Sequence, residues 1–444
     1  MEENKMGTKK INRLLFEMSI PIMISMLVQA LYNIIDSYFV SQINEDAFAA
    51  VSLAFPVQYM ITGLAVGTGV GINALLSRSL GQKKFERANR AAENGLILAV
   101  FHYLIFLVFG LFLSETFFKT QTDAARIISY GVDYISIITT FSVGTFVLIT
   151  VERIFQSTGR TIYTMITQIF GVVINIILDP ILIFGYLGAP AMGIRGAAVA
   201  TVIAQIIAAI LGLFINYKFN KEVTIRNFKP DFKVIKEIYR VGLPSFILIG
   251  ITSLTIYFMN IILSGFSSTA VAALGAYFKL RSFIFLPVFG LNNAMVPIVA
   301  YNYGARNKER ALEAVHLSIK IATGIMVAGF VIIQIFAKDM LMIFNASETM
   351  ISIGVPALRI ISFAYFFAGH NIVTSGSFQA LGNGVLSLNS SLIRQVAALL
   401  PVAYLLSLTG NLNLVWLCYP ISEAVDLVYC RYYLVNFTYK KIKN

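Results

Sequence analysis

Residues 79–88 read SLGQKKFERA and residues 302–311 read NYGARNKERA. Both place a glycine ahead of a basic turn and close on Glu-Arg-Ala. Gly81 and Gly304 are 304 − 81 = 223 positions apart. The same ungapped offset relates Pro21 in SIPIM to Pro244 in GLPSF. It also relates Phe155-Gln156 with Gly159 to Phe378-Gln379 with Gly382. The chain is therefore two related halves joined end to end. Internal repeats of membrane segments are a hallmark of transporters, whose substrate site lies where the repeats meet.

Composition places the chain in a membrane. Hydrophobic residues make up 57% of it and charged residues 13%, against about 25% charged in a soluble domain. Uncharged stretches run from Ala47 to Ser77, Asn94 to Ser114, Thr161 to Leu178, Gly196 to Tyr217, Val241 to Phe278, Ser282 to Ala305 and Ile360 to Ile393. About 20 apolar residues suffice for one spanning helix, and none of these stretches alternates like a barrel strand. Spans are predicted at 13–40, 47–77, 91–114, 125–152, 161–186, 194–217, 237–263, 269–303, 313–337, 350–380, 387–408 and 412–437. The predicted fold class is thus an all-α integral membrane protein of twelve transmembrane helices in two six-helix bundles. The bundles are predicted over 1–217 and 237–444, with a cytoplasmic linker over 218–236 that contains Pro230, and with a cavity between them. Six helices per half make both halves enter from one side, a parallel repeat.

The net charge of +12 follows membrane topology rather than a nucleic-acid footprint. Seven basic residues crowd Lys218 to Arg240 and five lie between Arg78 and Arg90, whereas the loops on the opposite side hold only Lys119, Arg126, Arg195 and Lys338. Basic loops stay in the cytoplasm, so both termini are expected inside, in a multi-pass protein of the cell (inner) membrane. Residues 1–12 are polar and basic ahead of an apolar run long enough to remain in the bilayer, so a cleaved signal is not expected. Cys418 and Cys430 sit on one helix, about 18 Å apart, too far to bond to each other. His102, His316 and His370 show no metal spacing, and no metal is expected.

Charges inside a bilayer are costly and tend to be functional. The first half carries two, Asp36 in YNIIDSYFV and Asp179 in NIILDPILIF. Counting about 1.5 Å per residue from Arg13 and Arg160 puts them about 35 and 28 Å above the inner face. Asn175 precedes Asp179 by four residues and shares its helix face. Thr201 lies about 10 Å below the outer end of the sixth helix. Two carboxylates, an amide and a hydroxyl can meet at one depth. Such a cluster suits a small hard cation, or a proton that paired carboxylates share; alternatively it only ties the bundle together.

In the second half Lys279, Arg281, Arg394, Glu423, Asp426 and Arg431 fall inside predicted spans. Lys279 and Glu423 lie at similar depth, and Arg394 and Asp426 share the inner half of the bilayer. They either form structural ion pairs, or Glu423 or Asp426 draws a cationic substrate to a cavity. Glu152, beside Arg153 at the end of the fourth helix, is a candidate inner gate or a solvated helix end. Pro21, about 22 Å of helix below Asp36, is a candidate hinge because it leaves the carbonyl of Glu17 without its helical donor.

The chain resembles the multidrug and toxic compound extrusion (MATE) transporters, closest to the bacterial MepA-like and DinF-like branch. The resemblance rests on the sixfold repeats, Pro21 fifteen residues before Asp36, Asn175-x-x-x-Asp179-Pro180, YNYGARNKERA and the two FQ-x-x-G segments, and it covers essentially the whole chain. It implies secondary active efflux of amphipathic, often cationic small molecules in exchange for inward H+ or Na+, by a monomer without cofactor or nucleic-acid partner. It further implies a cation or proton site at Asp36, Asn175, Asp179 and Thr201. Family members that carry acids on the seventh and tenth helices find no counterpart here: Leu254 to Asn260 is uncharged and the tenth helix has only Arg359. No G-x-x-x-x-G-K-[ST] motif is present, so energy is expected from an ion gradient. The alternatives are a lipid-linked oligosaccharide flippase of the same superfamily and, in another class, an integral-membrane lipid-modifying enzyme.

Overall fold

The computed structural model describes residues 4–344 and 346–443. Among the described residues every regular element is helical. The membrane helices are α1 (Ile11–Ser41), α2 (Glu45–Gly81), α3 (Phe85–Phe112), α4 (Ala125–Thr140 and Val143–Ser157), α5 (Thr161–Phe184), α6 (Ile194–Phe219), α7 (Phe232–Ser264), α8 (Ser268–Gly304), α9 (Lys308–Met342), α10 (Glu348–Ser362 and Tyr365–Ala380), α11 (Gly384–Ser407) and α12 (Cys418–Tyr433, continuing to Lys443). Nine are long enough and apolar enough to cross a bilayer among the described residues, and the bent pairs α4 and α10 bring the number to eleven. The twelfth, α12, is less apolar because it carries Glu423, Asp426 and Arg431.

The repeat extends to the backbone. Asn44 caps α2 by accepting from the Ala47 N–H, and Ser267, 223 residues on, caps α8 by accepting from Ala270. These caps satisfy one of the orphan donors of each first turn. Lys83 and Arg306 take left-handed conformations, φ 59° and 58°, in the matching turns after α2 and α8. Few non-glycine residues do so. Gly159 and Gly382 close α4 and α10 at φ 77° and 78°. The bends match as well: α4 breaks by 46° after Thr140 and α10 by 51° after Ser362.

One compact unit comprises Ile24–Leu243. Its core joins Ala47, Ala50 and Ala54 of α2 to Phe106 of α3, Ile135 and Phe146 of α4, and Ala197 and Ala198 of α6. Small residues let α2 and α7 touch: a Cβ on Gly71 would fall on the Ile238 carbonyl, and one on Gly242 would lie 3.0 Å from the Thr68 Cα. The connection from α6 to α7 is strapped onto α3. Asn89 accepts from the Thr224 N–H, Glu93 from Arg226 and Asn227, and Asn94 from Asp231. Arg78 and Arg87 both grip Glu237 of α7.

The other unit comprises Met1–Met23 and Pro244–Asn444. Arg310, the repeat counterpart of Arg87, donates to the carbonyls of Met6 and Lys9 and to Asn302. Its core includes Phe285 and Tyr365 in edge-to-face contact at 5.2 Å. Two π-helical stretches interrupt the α geometry here, Leu392–Leu399 in α11 and Leu434–Tyr439 in α12. α1 passes through Pro21, and α7 through Pro244, as single helices.

Candidate functional site

Asp36 hangs from α1 with Tyr32 one turn before it, at the i, i+4 spacing that puts two side chains on one face. Asn175 and Asp179 repeat that spacing on α5. Asp179 is fully buried and Asn175 nearly so. With its amide oriented to satisfy both ends, Asn175 donates to Asp179 Oδ2 at 2.9 Å and accepts from the Thr201 N–H at 3.1 Å. The Tyr32 hydroxyl is 3.3 Å from that of Thr201. Tyr134 of α4, buried, takes a hydrogen bond from Gln58 of α2 at 2.8 Å. Asp36 is an electrostatic neighbour of Asp179, of Tyr32 and of Tyr134.

Of the four sequence-predicted residues, hydrogen bonds join Asn175, Asp179 and Thr201, and Asp36 acts on Asp179 through its charge. Asn175, Asp179 and Thr201 form the hydrogen-bonded part, with Asp36 beside them. Oδ1 of Asp36 and Oδ1 of Asp179 are both buried without a hydrogen-bond partner. Among the described residues no basic side chain acts on either carboxylate. Pro180 removes the helical donor of the Ile176 carbonyl, adding one more oxygen on the same helix. Two neighbouring carboxylates, uncompensated and out of water, call for a proton or a monovalent cation among these oxygens. Among the described residues no three of His, Cys, Asp and Glu gather into a metal cluster. Sequence reading missed Tyr32, Tyr134 and Gln58. Only Tyr32 carried a signal, its spacing from Asp36.

The charges of the second half pair differently from their depths. Glu423 takes Arg394 at 2.6 Å, not Lys279, and accepts from Asn371 at 2.9 Å. Asp426 accepts from Ser390 at 2.7 Å. The Lys279 ammonium stands 5.7 Å from the centre of the Phe344 ring, and the Arg281 guanidinium 4.4 Å from that of Phe285. Glu152 does not end its helix, which runs on to Ser157. Its Oε1 is buried without a partner, and Arg153 beside it is buried and donates to Gln156. A solvated helix end is therefore not what this pair forms. Two of the three histidines pack as donors or acceptors to tyrosines, His102 with Tyr239 and His316 with Tyr439 at 2.7 Å each. Both cysteines are free and buried.

A family model, MatE, matches the chain twice, over residues 21–181 and 244–405. The Multidrug export protein MepA of Staphylococcus haemolyticus is 29% identical over 415 residues, covering 90% of this chain and 88% of that protein. A solved MATE structure in the straight conformation aligns with a TM-score of 0.92 at 25% identity, covering 100% of both chains. The outward-facing conformation of a multidrug resistance MATE family transporter of the MOP superfamily aligns with a TM-score of 0.90 at 26% identity, over 100% of this chain and 99% of that one.

Proposed function

The chain belongs to the MatE family, and from that premise we propose that it exports amphipathic, often cationic compounds across the cell membrane in exchange for H+ or Na+ moving inward. The observation that carries the coupling is the oxygen cluster of the first unit. Asp36 and Asp179 lie together without a counter-charge, each with a buried oxygen lacking a partner. Binding a proton or a cation neutralises the pair, and releasing it restores the charge. The site then has two states of different hydration, and Asn175 and Thr201 supply polar groups for both. Pro21 is the proposed hinge of α1, since a helix missing one hydrogen bond yields there at least cost. The distribution of basic residues favours both termini on the cytoplasmic side, and the chain works as a monomer.

The flippase alternative would expect unpaired cations for a pyrophosphate. Arg394, one of the three basic candidates, is neutralised by Glu423, which weighs against it. The family is one of transporters, so the lipid-modifying enzyme is not retained. The test uses purified protein in liposomes, with movement of a fluorescent cation followed under a pH gradient and a sodium gradient imposed separately. One gradient should drive export, and Asp36→Asn and Asp179→Asn should each abolish it while remaining folded and inserted. Wild-type export rates in both variants would overturn the coupling site, and no export under either gradient would overturn the function.

A further inference from the structure

The second unit contains a cavity of about 60 Å³ between α7, α8, α10, α11 and α12. That is room for about two water-sized occupants at their share of liquid volume. Arg281, Tyr365, Arg394, Gln395, Tyr419 and Glu423 contribute its polar wall. Three polar atoms there are buried without any hydrogen-bond partner, the hydroxyl of Tyr419, Nε of Arg394 and Nε2 of Gln395, and a fourth, the Tyr365 hydroxyl, has only the Tyr277 hydroxyl beside it. Tyr365, Gln395 and Tyr419 are each more than nine-tenths buried. Buried polar groups in native structures are nearly always satisfied, and a set of orphans facing one space points to an occupant. All four can donate, and the two nitrogens can only donate.

The sign of the charge agrees. Glu423, the one acid in the wall, is already met by Arg394 and Asn371. Among the described residues Arg281 has no carboxylate partner, and it rests its guanidinium on the Phe285 ring. The wall therefore carries a net charge of about +1. A cation would be repelled by it, and water would leave the charge uncompensated. Arg394 and Gln395 stand in the π-helical stretch of α11, an irregularity that often marks functional positions; the repeat counterpart α5 is α-helical throughout.

We propose that this cavity binds one compact monovalent anion, a halide such as chloride, between the Arg281 guanidinium and the donors of Tyr365, Tyr419, Arg394 and Gln395. The site shares no residue with the carboxylate cluster, so its test is a binding measurement with no gradient and no transported compound.

The purified protein in lipid nanodiscs is titrated with chloride against gluconate at constant ionic strength. Two signals are followed, the thermal midpoint and the emission of Trp416, the single tryptophan, three residues before Tyr419. Chloride should raise the midpoint saturably, as a ligand of the folded state does, and shift the emission over the same range. Arg281→Gln should weaken the apparent chloride affinity at least tenfold, equivalent to about 1.4 kcal/mol. Tyr365→Phe keeps the ring, removes one donor and should weaken it several-fold, which preserves the test if Arg281→Gln does not fold. Bromide should give an anomalous scattering peak beside Arg281 in crystals. Equal midpoints in chloride and gluconate, or an undiminished chloride response in the folded variants, would overturn the proposal and leave the cavity to water.

Discussion

Glu423→Gln changes one atom of one side chain, and its consequence can be worked from its contacts. The wild-type carboxylate accepts from Arg394 at 2.6 Å through one oxygen and from Asn371 at 2.9 Å through the other. Its side chain is 9% exposed and that of Arg394 is 20% exposed. A glutamine keeps one oxygen for Asn371 and turns its amide nitrogen toward the guanidinium, donor against donor. Arg394 then remains buried without its carboxylate. Breaking a buried ion pair by removing one partner costs about 3–5 kcal/mol. Asp426 is a second carboxylate whose field reaches Arg394, and the adjoining cavity can hydrate the freed guanidinium. The loss should therefore lie near the low end, about 3 kcal/mol.

The assay is thermal inactivation in nanodiscs, read as a midpoint and as a half-life at one fixed temperature, for Glu423→Gln, Arg394→Gln and the double variant. Both single variants should melt earlier. The double variant should recover most of the loss, because two neutral amides can hydrogen-bond and neither charge is stranded. Glu423→Gln should also strengthen the chloride response, since it leaves the cavity wall with two uncompensated cations. A wild-type midpoint for Glu423→Gln, or a double variant no more stable than the weaker single one, would refute the ion-pair reasoning.

Gly71→Val should destabilise by about 1–3 kcal/mol, the usual cost of overpacking, because its first added carbon falls on the Ile238 carbonyl; a lower thermal midpoint and a reduced folded yield in membranes check this. Arg310→Ala removes the donors to the Met6 and Lys9 carbonyls, so limited trypsin should cut after Lys9 and Lys10 several-fold faster, seen by mass spectrometry. Glu93→Ala takes away the acceptor of the Arg226 and Asn227 N–H groups, at about 1–3 kcal/mol for each stranded donor, and trypsin should then open the connection at Arg226 before any other site.

The repeat was the most legible feature because it is written in residues whose backbone demands are specific. Gly159 and Gly382 hold left-handed turns at the same offset that the sequence shows, and the breaks in α4 and α10, after Thr140 and Ser362, fall within about one residue of it. Depth in the bilayer was legible for a similar reason, since rise per residue is constant along a helix. That sufficed for Asp36, Asn175, Asp179 and Thr201. It failed for Glu423, because depth says nothing about direction around the helix axis. Lys279 had the matching depth, yet Arg394 had the matching direction. A π turn adds a residue and so rotates the side chains beyond it by about 100° relative to an α register, and no residue pattern in 392–399 announced it. Tyr134 and Gln58 reach the carboxylate cluster from other helices with neutral groups, which hydropathy does not distinguish from packing.

Applied to the two polar sites, the repeat offset yields a chemical contrast. Asp36 corresponds to Met259 and Asp179 to Val402, so both carboxylates are absent from the second unit. Tyr32 corresponds to Thr255, and Gln58 corresponds to Arg281, so a neutral amide of the first site becomes a guanidinium in the second. Thr255 and Arg281 both line the cavity of the second unit, as Tyr32 and Gln58 belong to the cluster of the first. One backbone plan therefore places polar groups at equivalent points of both units and gives them opposite charge. The first site offers two carboxylates and no cation, as the proposed proton or cation binding requires; the second lines its cavity with two guanidiniums and one carboxylate. A second coupling cation in the C-terminal unit is thus opposed on two grounds, the loss of the acids and the gain of Arg281. Reversing only the gain, as in Arg281→Gln, would leave the second cavity neutral but still without the carboxylates a cation needs, so that substitution should weaken the chloride response at least tenfold, equivalent to about 1.4 kcal/mol, without creating a sodium response.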